Sequence, residues 1–167
     1  ASMTLFHNDI TFVKNTLNIC INEIIRLEKI FSLFDENSYI CELNRNSYLK
    51  NPPKELVEIL NFANTISENT DGAFDVSVQP LWLIHAKFFK DTNNKDINKL
   101  KEEIQKVKEF VSYKNILISN DEISFAKKDV QITLNGIAQG YITDKITNIL
   151  KEKGFTNVLV NLGEFNS

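Results

Sequence analysis

Asp75 is the residue whose neighbours best equip it for chemistry. It follows the Asp-Gly turn of Thr70-Asp71-Gly72-Ala73-Phe74 and precedes Val76-Ser77-Val78. This alternation predicts a strand with Phe74, Val76 and Val78 on one side and Asp75 and Ser77 on the other. A carboxylate there could accept a hydrogen bond from a ribityl or ribose hydroxyl or a heterocyclic N–H, or hold water around a cation, and it could equally cap a neighbouring amide. Both readings stay open. A second feature is Asn135-Gly136-Ile137-Ala138-Gln139-Gly140-Tyr141, set between Val130-Gln-Ile-Thr-Leu134 and an amphipathic run to Lys153. Ile132 and Leu134 alternate with polar residues, Ile137, Tyr141, Ile142, Ile146, Ile149 and Leu150 recur at helical spacing, and Gly154 stands where a helix end needs positive φ. The order is strand, turn, helix, then a strand from Asn157. Such a helix start aims free N–H groups at an anion such as phosphate, although the glycines could serve only a tight turn and close packing.

Other reactive side chains are sparse. His7 and His85 are the only histidines, and neither has a second ligand at metal spacing. Cys20 on an apolar helix face and Cys41 in an irregular segment read as reduced structural cysteines. No Ser-His-Asp or Cys-His arrangement presents itself. Trp82, Phe88 and Phe89 read as core, whereas Phe34 follows a long helix at a loop edge where a planar ring could stack.

The elements that must hold these residues follow from periodicity. Ile10, Val13, Leu17, Cys20, Ile24, Leu27, Phe31 and Phe34 predict a long helix over residues 9 to 33, capped by Asn8 or Asp9. Ser38 to Asn44 reads as an irregular link. Pro52-Pro53 opens a second helix with Leu56, Ile59, Leu60, Ala63 and Ile66 inward, Pro80 to Phe89 continues as a third, and Asp96 to Phe110 as a fourth with Ile97, Leu100, Ile104 and Val107 inward. Residues 115–126 form a hairpin about Asn120-Asp121, which the strand from Val130 can extend. Helices flanking a mostly antiparallel sheet make the class α+β. Residues 1–8 read as a remnant ahead of Met3 and a frayed start, 9–70 as two long helices, and 71–167 as sheet and helices of the same single domain.

Composition narrows the classes. A net charge of −3, with lysines mixed among acids, excludes a nucleic-acid stripe, and no apolar run is long enough to span a membrane.

Three segments, in order, resemble the ApbE family of FAD:protein FMN transferases. They are Phe31-Ser-Leu-Phe-Asp-Glu-Asn-Ser38-Tyr-Ile-Cys-Glu-Leu-Asn44, Thr70-Asp-Gly-Ala-Phe-Asp75-Val-Ser-Val-Gln-Pro-Leu81, and Leu134-Asn-Gly-Ile-Ala-Gln-Gly-Tyr-Ile-Thr-Asp144 with Val160-Asn-Leu-Gly-Glu164. The third looks most like the branch associated with nitrous-oxide reductase maturation, which implies export to the periplasm and a membrane-bound electron-transfer subunit as acceptor. The family resemblance implies Mg²⁺-dependent cleavage of the FAD pyrophosphate, with a threonine of a target flavoprotein taking FMN and AMP leaving.

Carried over by position, Ala73, Phe74 and Asp75 match the flavin-contacting segment, and Phe34 falls near an aromatic position that meets the flavin. Gly136 matches a carbonyl ligand of the metal, and Thr133 and Gln139 match FAD-contacting positions. There the family commonly has Asp, and Lys or Glu; the neutral pair is expected to weaken ribityl or pyrophosphate contacts. Family members also open with a strand this sequence does not show, and continue into a second half that supplies further metal ligands. The expectation is an N-terminal portion, inactive alone, that self-associates through the surface the other half would cover. The alternatives are a non-catalytic flavin-binding or scaffold domain, and a metal-dependent FAD pyrophosphatase.

Overall fold

The computed structural model describes residues 2–90, 96–163 and 165–166. It divides into two units, Ala1–Phe31 with Leu134–Ser167, and Ser32–Thr133.

In the first unit, helix α1 (Ile10–Phe31) starts at Asp9, whose Oδ1 accepts the Phe12 N–H at 3.0 Å. The expected stripe is inward at Cys20, Leu27 and Phe31. Helix α6 (Ala138–Glu152) ends as its sequence requires: Gly154 lies at φ +86° and the Phe155 N–H reaches back to the Leu150 carbonyl at 3.1 Å. Strand β5 (Val158–Asn161) alternates, with Val158 and Val160 buried. Cys20, Ile146, Leu150, Phe155, Val158 and Val160 form the core of this unit.

The chain does not begin frayed. Ser2–Leu5 form strand β1, antiparallel to β5 with Met3 opposite Val160, and Phe165–Asn166 form β6 on the other side of β5. An opening strand is therefore present, contrary to the sequence reading. Four residues are too few to display an alternation, but Met3 and Leu5 pack on the core cluster and β1 covers an edge of β5.

In the second unit, the expected irregular link is helix α2 (Tyr39–Asn46). The Ser38 hydroxyl caps it by accepting the Cys41 N–H at 3.2 Å, and Ile40 and Leu43 are buried one turn apart. Strand β2 (Tyr48–Lys50) follows, then α3 (Lys54–Asn69) after Pro52-Pro53, α4 (Gln79–Lys90) and α5 (Ile97–Val107). The hairpin is β3 (Ile116–Ile118) and β4 (Glu122–Phe125), in the antiparallel order β2-β4-β3. The class is α+β, built on two small antiparallel sheets in place of one.

Four further expectations fail here. The strand expected from Phe74 to Val78 is a 3-10 turn over Val76–Val78, and the adjacent residues Val76 and Ser77 are both buried, which an alternating strand could not achieve. Residues 130–134 do not join the hairpin; β2 takes the open side of β4. The aromatic helix is not core either, since Trp82 is 54% and Phe89 66% exposed. Ile97 is also exposed: α5 packs chiefly on α4, and a helix with one neighbour buries only one stripe.

Candidate functional site

The second unit positions Asp75 through the end of α3. Asp71 at φ +50° and Gly72 at φ +80° reverse the chain, with the Gly72 N–H on the Ser67 carbonyl at 2.8 Å and the Asp71 N–H on that of Glu68 at 3.3 Å. Two further bonds to Thr70, from the Ala73 N–H to its carbonyl and from the Phe74 N–H to its hydroxyl, leave Ala73 exposed and Phe74 half-buried. Asp75 is then extended. Its Oδ1 accepts the Ser77 N–H at 2.7 Å and the Ser77 hydroxyl at 2.6 Å, and its Oδ2 accepts the Tyr113 N–H at 2.8 Å. The capping reading of this carboxylate is thus real. A carboxylate offers about four lone-pair directions, so three donors leave room for one more from a ligand.

Thr133 is brought to the same place. Its N–H donates to the carbonyl of Val76, the residue after Asp75, at 2.8 Å. Ile132 before it is held by the Asn44 side chain: Asn44 Oδ1 accepts the Ile132 N–H at 2.8 Å and Nδ2 donates to the Ile132 carbonyl at 2.9 Å. Residues 130–134 therefore keep strand-like alternation without a strand paired to them among the described residues, Val130, Ile132 and Leu134 buried and Thr133 half-exposed. Phe34, also in this unit, is 90% exposed and its ring stands in solvent.

Gly136 and Gln139 belong to the first unit. The Leu134 carbonyl accepts the N–H groups of Ile137 at 2.9 Å and Ala138 at 2.8 Å, making a turn whose tip, Asn135-Gly136, is exposed. Helix α6 begins after Ile137 with no side-chain cap. The Gln139 carboxamide donates to the Leu162 carbonyl, and Gly163 at φ +108° gives it room, since a Cβ there would run into the amide. Glu164 lies outside the described residues.

The described residues do not make a Mg²⁺ centre. They contain no group of three His, Cys, Asp or Glu side chains able to hold a metal, and one carbonyl on an exposed turn is far short of the octahedral oxygen shell Mg²⁺ demands. Both cysteines are free, and burial pushes the Cys20 thiol above its ordinary pKa. His7 packs on Phe12 and Phe155, and His85 on Phe89.

Sequence reasoning missed Asn44, Ser77 and Tyr113. Asn44 closes the first of the family-like segments, and that placement was the available signal.

The model of the ApbE family matches residues 3–165. The chain belongs to the ApbE family. A FAD:protein FMN transferase of Buchnera aphidicola subsp. Schizaphis graminum (strain Sg) is 26% identical over 171 residues, covering 96% of this chain and 49% of the relative. A mutant of the flavin transferase ApbE from Vibrio cholerae superposes with a TM-score of 0.81 at 16% identity, over 96% of this chain and 53% of that one. The ApbE protein of Thermotoga maritima gives a TM-score of 0.74 at 24% identity, over 95% and 51%. At these identities the solved structures establish the fold, and the chain spans about half the length of the ApbE relatives it matches.

Proposed function

We propose that this chain is the N-terminal portion of a FAD:protein FMN transferase. The observation that carries the reading is the Thr133 N–H bond to Val76, which joins two segments matched to flavin-contacting positions within one unit. Ala73, Phe74 and Asp75 would meet the flavin nucleotide on one side and Thr133 on the other, with Phe34 offering a ring for stacking. Gln139, in the first unit, matches a FAD-contacting position by resemblance, and its carboxamide is engaged by the Leu162 carbonyl of that same unit.

The reaction forms a bond from a threonine hydroxyl oxygen of a target flavoprotein to the FMN phosphorus. The bond from that phosphorus to the oxygen of AMP breaks, and AMP leaves with the electron pair; the hydroxyl proton passes to solvent. Mg²⁺ would supply charge neutralisation on the pyrophosphate; this chain would lend it the Gly136 carbonyl, and the remaining ligands would come from the other half of the family's length. The 167-residue chain alone is then inactive. The acceptor is a membrane-bound electron-transfer subunit, and the compartment the periplasm, as in the nitrous-oxide reductase maturation branch.

The test incubates the chain, and in parallel the protein extended to the length of its relatives, with FAD, Mg²⁺ and a threonine-bearing acceptor domain. Intact-mass analysis should show one FMN added to the acceptor by the extended protein and none by this chain. Free FMN and AMP without acceptor labelling would instead identify a pyrophosphatase. FAD binding without turnover in the extended protein would identify a scaffold.

A further inference from the structure

We infer that Asn44 is a positioning residue for the flavin-facing segment, and that its carboxamide takes the place of a missing neighbouring strand. A backbone run such as residues 130–134 needs partners for its N–H and C=O groups once it is buried, and Ile132 is fully buried. A strand partner would offer one acceptor and one donor at that residue. Asn44 offers both from one planar group, Oδ1 to the N–H at 2.8 Å and Nδ2 to the carbonyl at 2.9 Å. With carboxyl groups ionised at neutral pH, the amide is the side chain that carries a donor and an acceptor in this fork, and Asn44 is delivered by helix α2, whose start is fixed by Ser38.

The consequence runs one residue further. With Ile132 clamped, Thr133 can project to the opposite face while its N–H reaches Val76 at 2.8 Å, beside Asp75. Asn44 therefore sets the spacing between Thr133 and the Ala73–Asp75 segment without touching a ligand itself. This role rests on the flavin-site reading above only for its effect on binding; the clamp on Ile132 stands apart from it.

The experiment compares the full 167-residue chain with Asn44→Ala, Asn44→Asp and, as a control of packing alone, Leu49→Ala. Amide hydrogen exchange at Ile132 and Thr133 reads the clamp, and FAD fluorescence quenching reads binding. Two hydrogen bonds lost from a buried segment should speed exchange at Ile132 about ten- to a hundred-fold in Asn44→Ala, beyond any change at amides of α1. Asn44→Asp should be no better, since it keeps the acceptor but sets a carboxylate against the Ile132 carbonyl. FAD affinity should fall about tenfold in both Asn44 variants and stay within about twofold in Leu49→Ala at a temperature where all are folded. Unchanged exchange at Ile132 overturns the clamp. Faster exchange with unchanged FAD affinity overturns the positioning role. Absence of FAD binding in the unsubstituted chain, with the exchange effect present, overturns the flavin-site reading and with it the role in binding, while the clamp stands. If Asn44→Ala is unfolded, exchange and quenching in Asn44→Asp decide by the same criteria.

Discussion

Asp75 shows how one side chain can be structural and still be offered to a ligand. Its three donors come from Ser77 and Tyr113, 38 residues away in sequence, so the carboxylate stitches the turn after α3 to the start of the hairpin. Removing it orphans the Tyr113 N–H and the Ser77 amide together. Asp75→Ala should therefore cost about 2 kcal/mol in urea unfolding, and Asp75→Asn somewhat less because one acceptor survives. A loss below about 0.5 kcal/mol for the alanine would mean that solvent replaces these bonds, as at an ordinary surface site. Asp75 could be singled out from the turn and alternation around it, but its partners could not, because Tyr113 arrives through tertiary contact and leaves no local pattern.

The elements divide by how locally they are encoded. Helices α1, α3 and α6 were legible because each joins an apolar stripe to one local signal, the Asp9 cap, the Pro52-Pro53 pair and the terminal Gly154 in turn. Helix α2 was not, since its eight residues carry only two buried positions and depend on Ser38. That hydroxyl also donates to the Ser32 carbonyl at 2.6 Å, so it fixes both the helix start and the chain that enters it. Ser38→Ala should lower stability by about 1 to 2 kcal/mol in thermal or denaturant unfolding; a neutral effect would show that α2 is held by Ile40 and Leu43 alone. Residues 74–78 and 130–134 misled for different reasons. In the first, residue types alternate but burial does not, since Val76 and Ser77 are both buried in a 3-10 turn. In the second, burial does alternate, but a ladder also requires a neighbouring backbone, and Asn44 supplies that partner as a side chain.

For the molecule, family membership follows from a match over residues 3–165, and the span of about half the relatives' length frames every statement about activity. The exposed aromatic pair Trp82 and Phe89, seven residues apart on α4, gives a narrow apolar stripe on the surface of the second unit. Self-association is proposed through the surface that the rest of the family's length would cover: light scattering at hundreds of micromolar should give a mass above the 19.2 kDa of one chain. A monomer mass throughout the concentration range would contradict this. The central claim, that Phe34, Ala73–Asp75 and Thr133 of the second unit mark a flavin-nucleotide surface, is tested most directly by titrating FAD into the isotopically labelled chain and following its amide resonances. The account predicts saturable shifts at those residues, with those of Ala73 to Asp75 and Thr133 moving together on one binding curve. Shifts confined to α4 and α5, or none at saturating FAD, would contradict it.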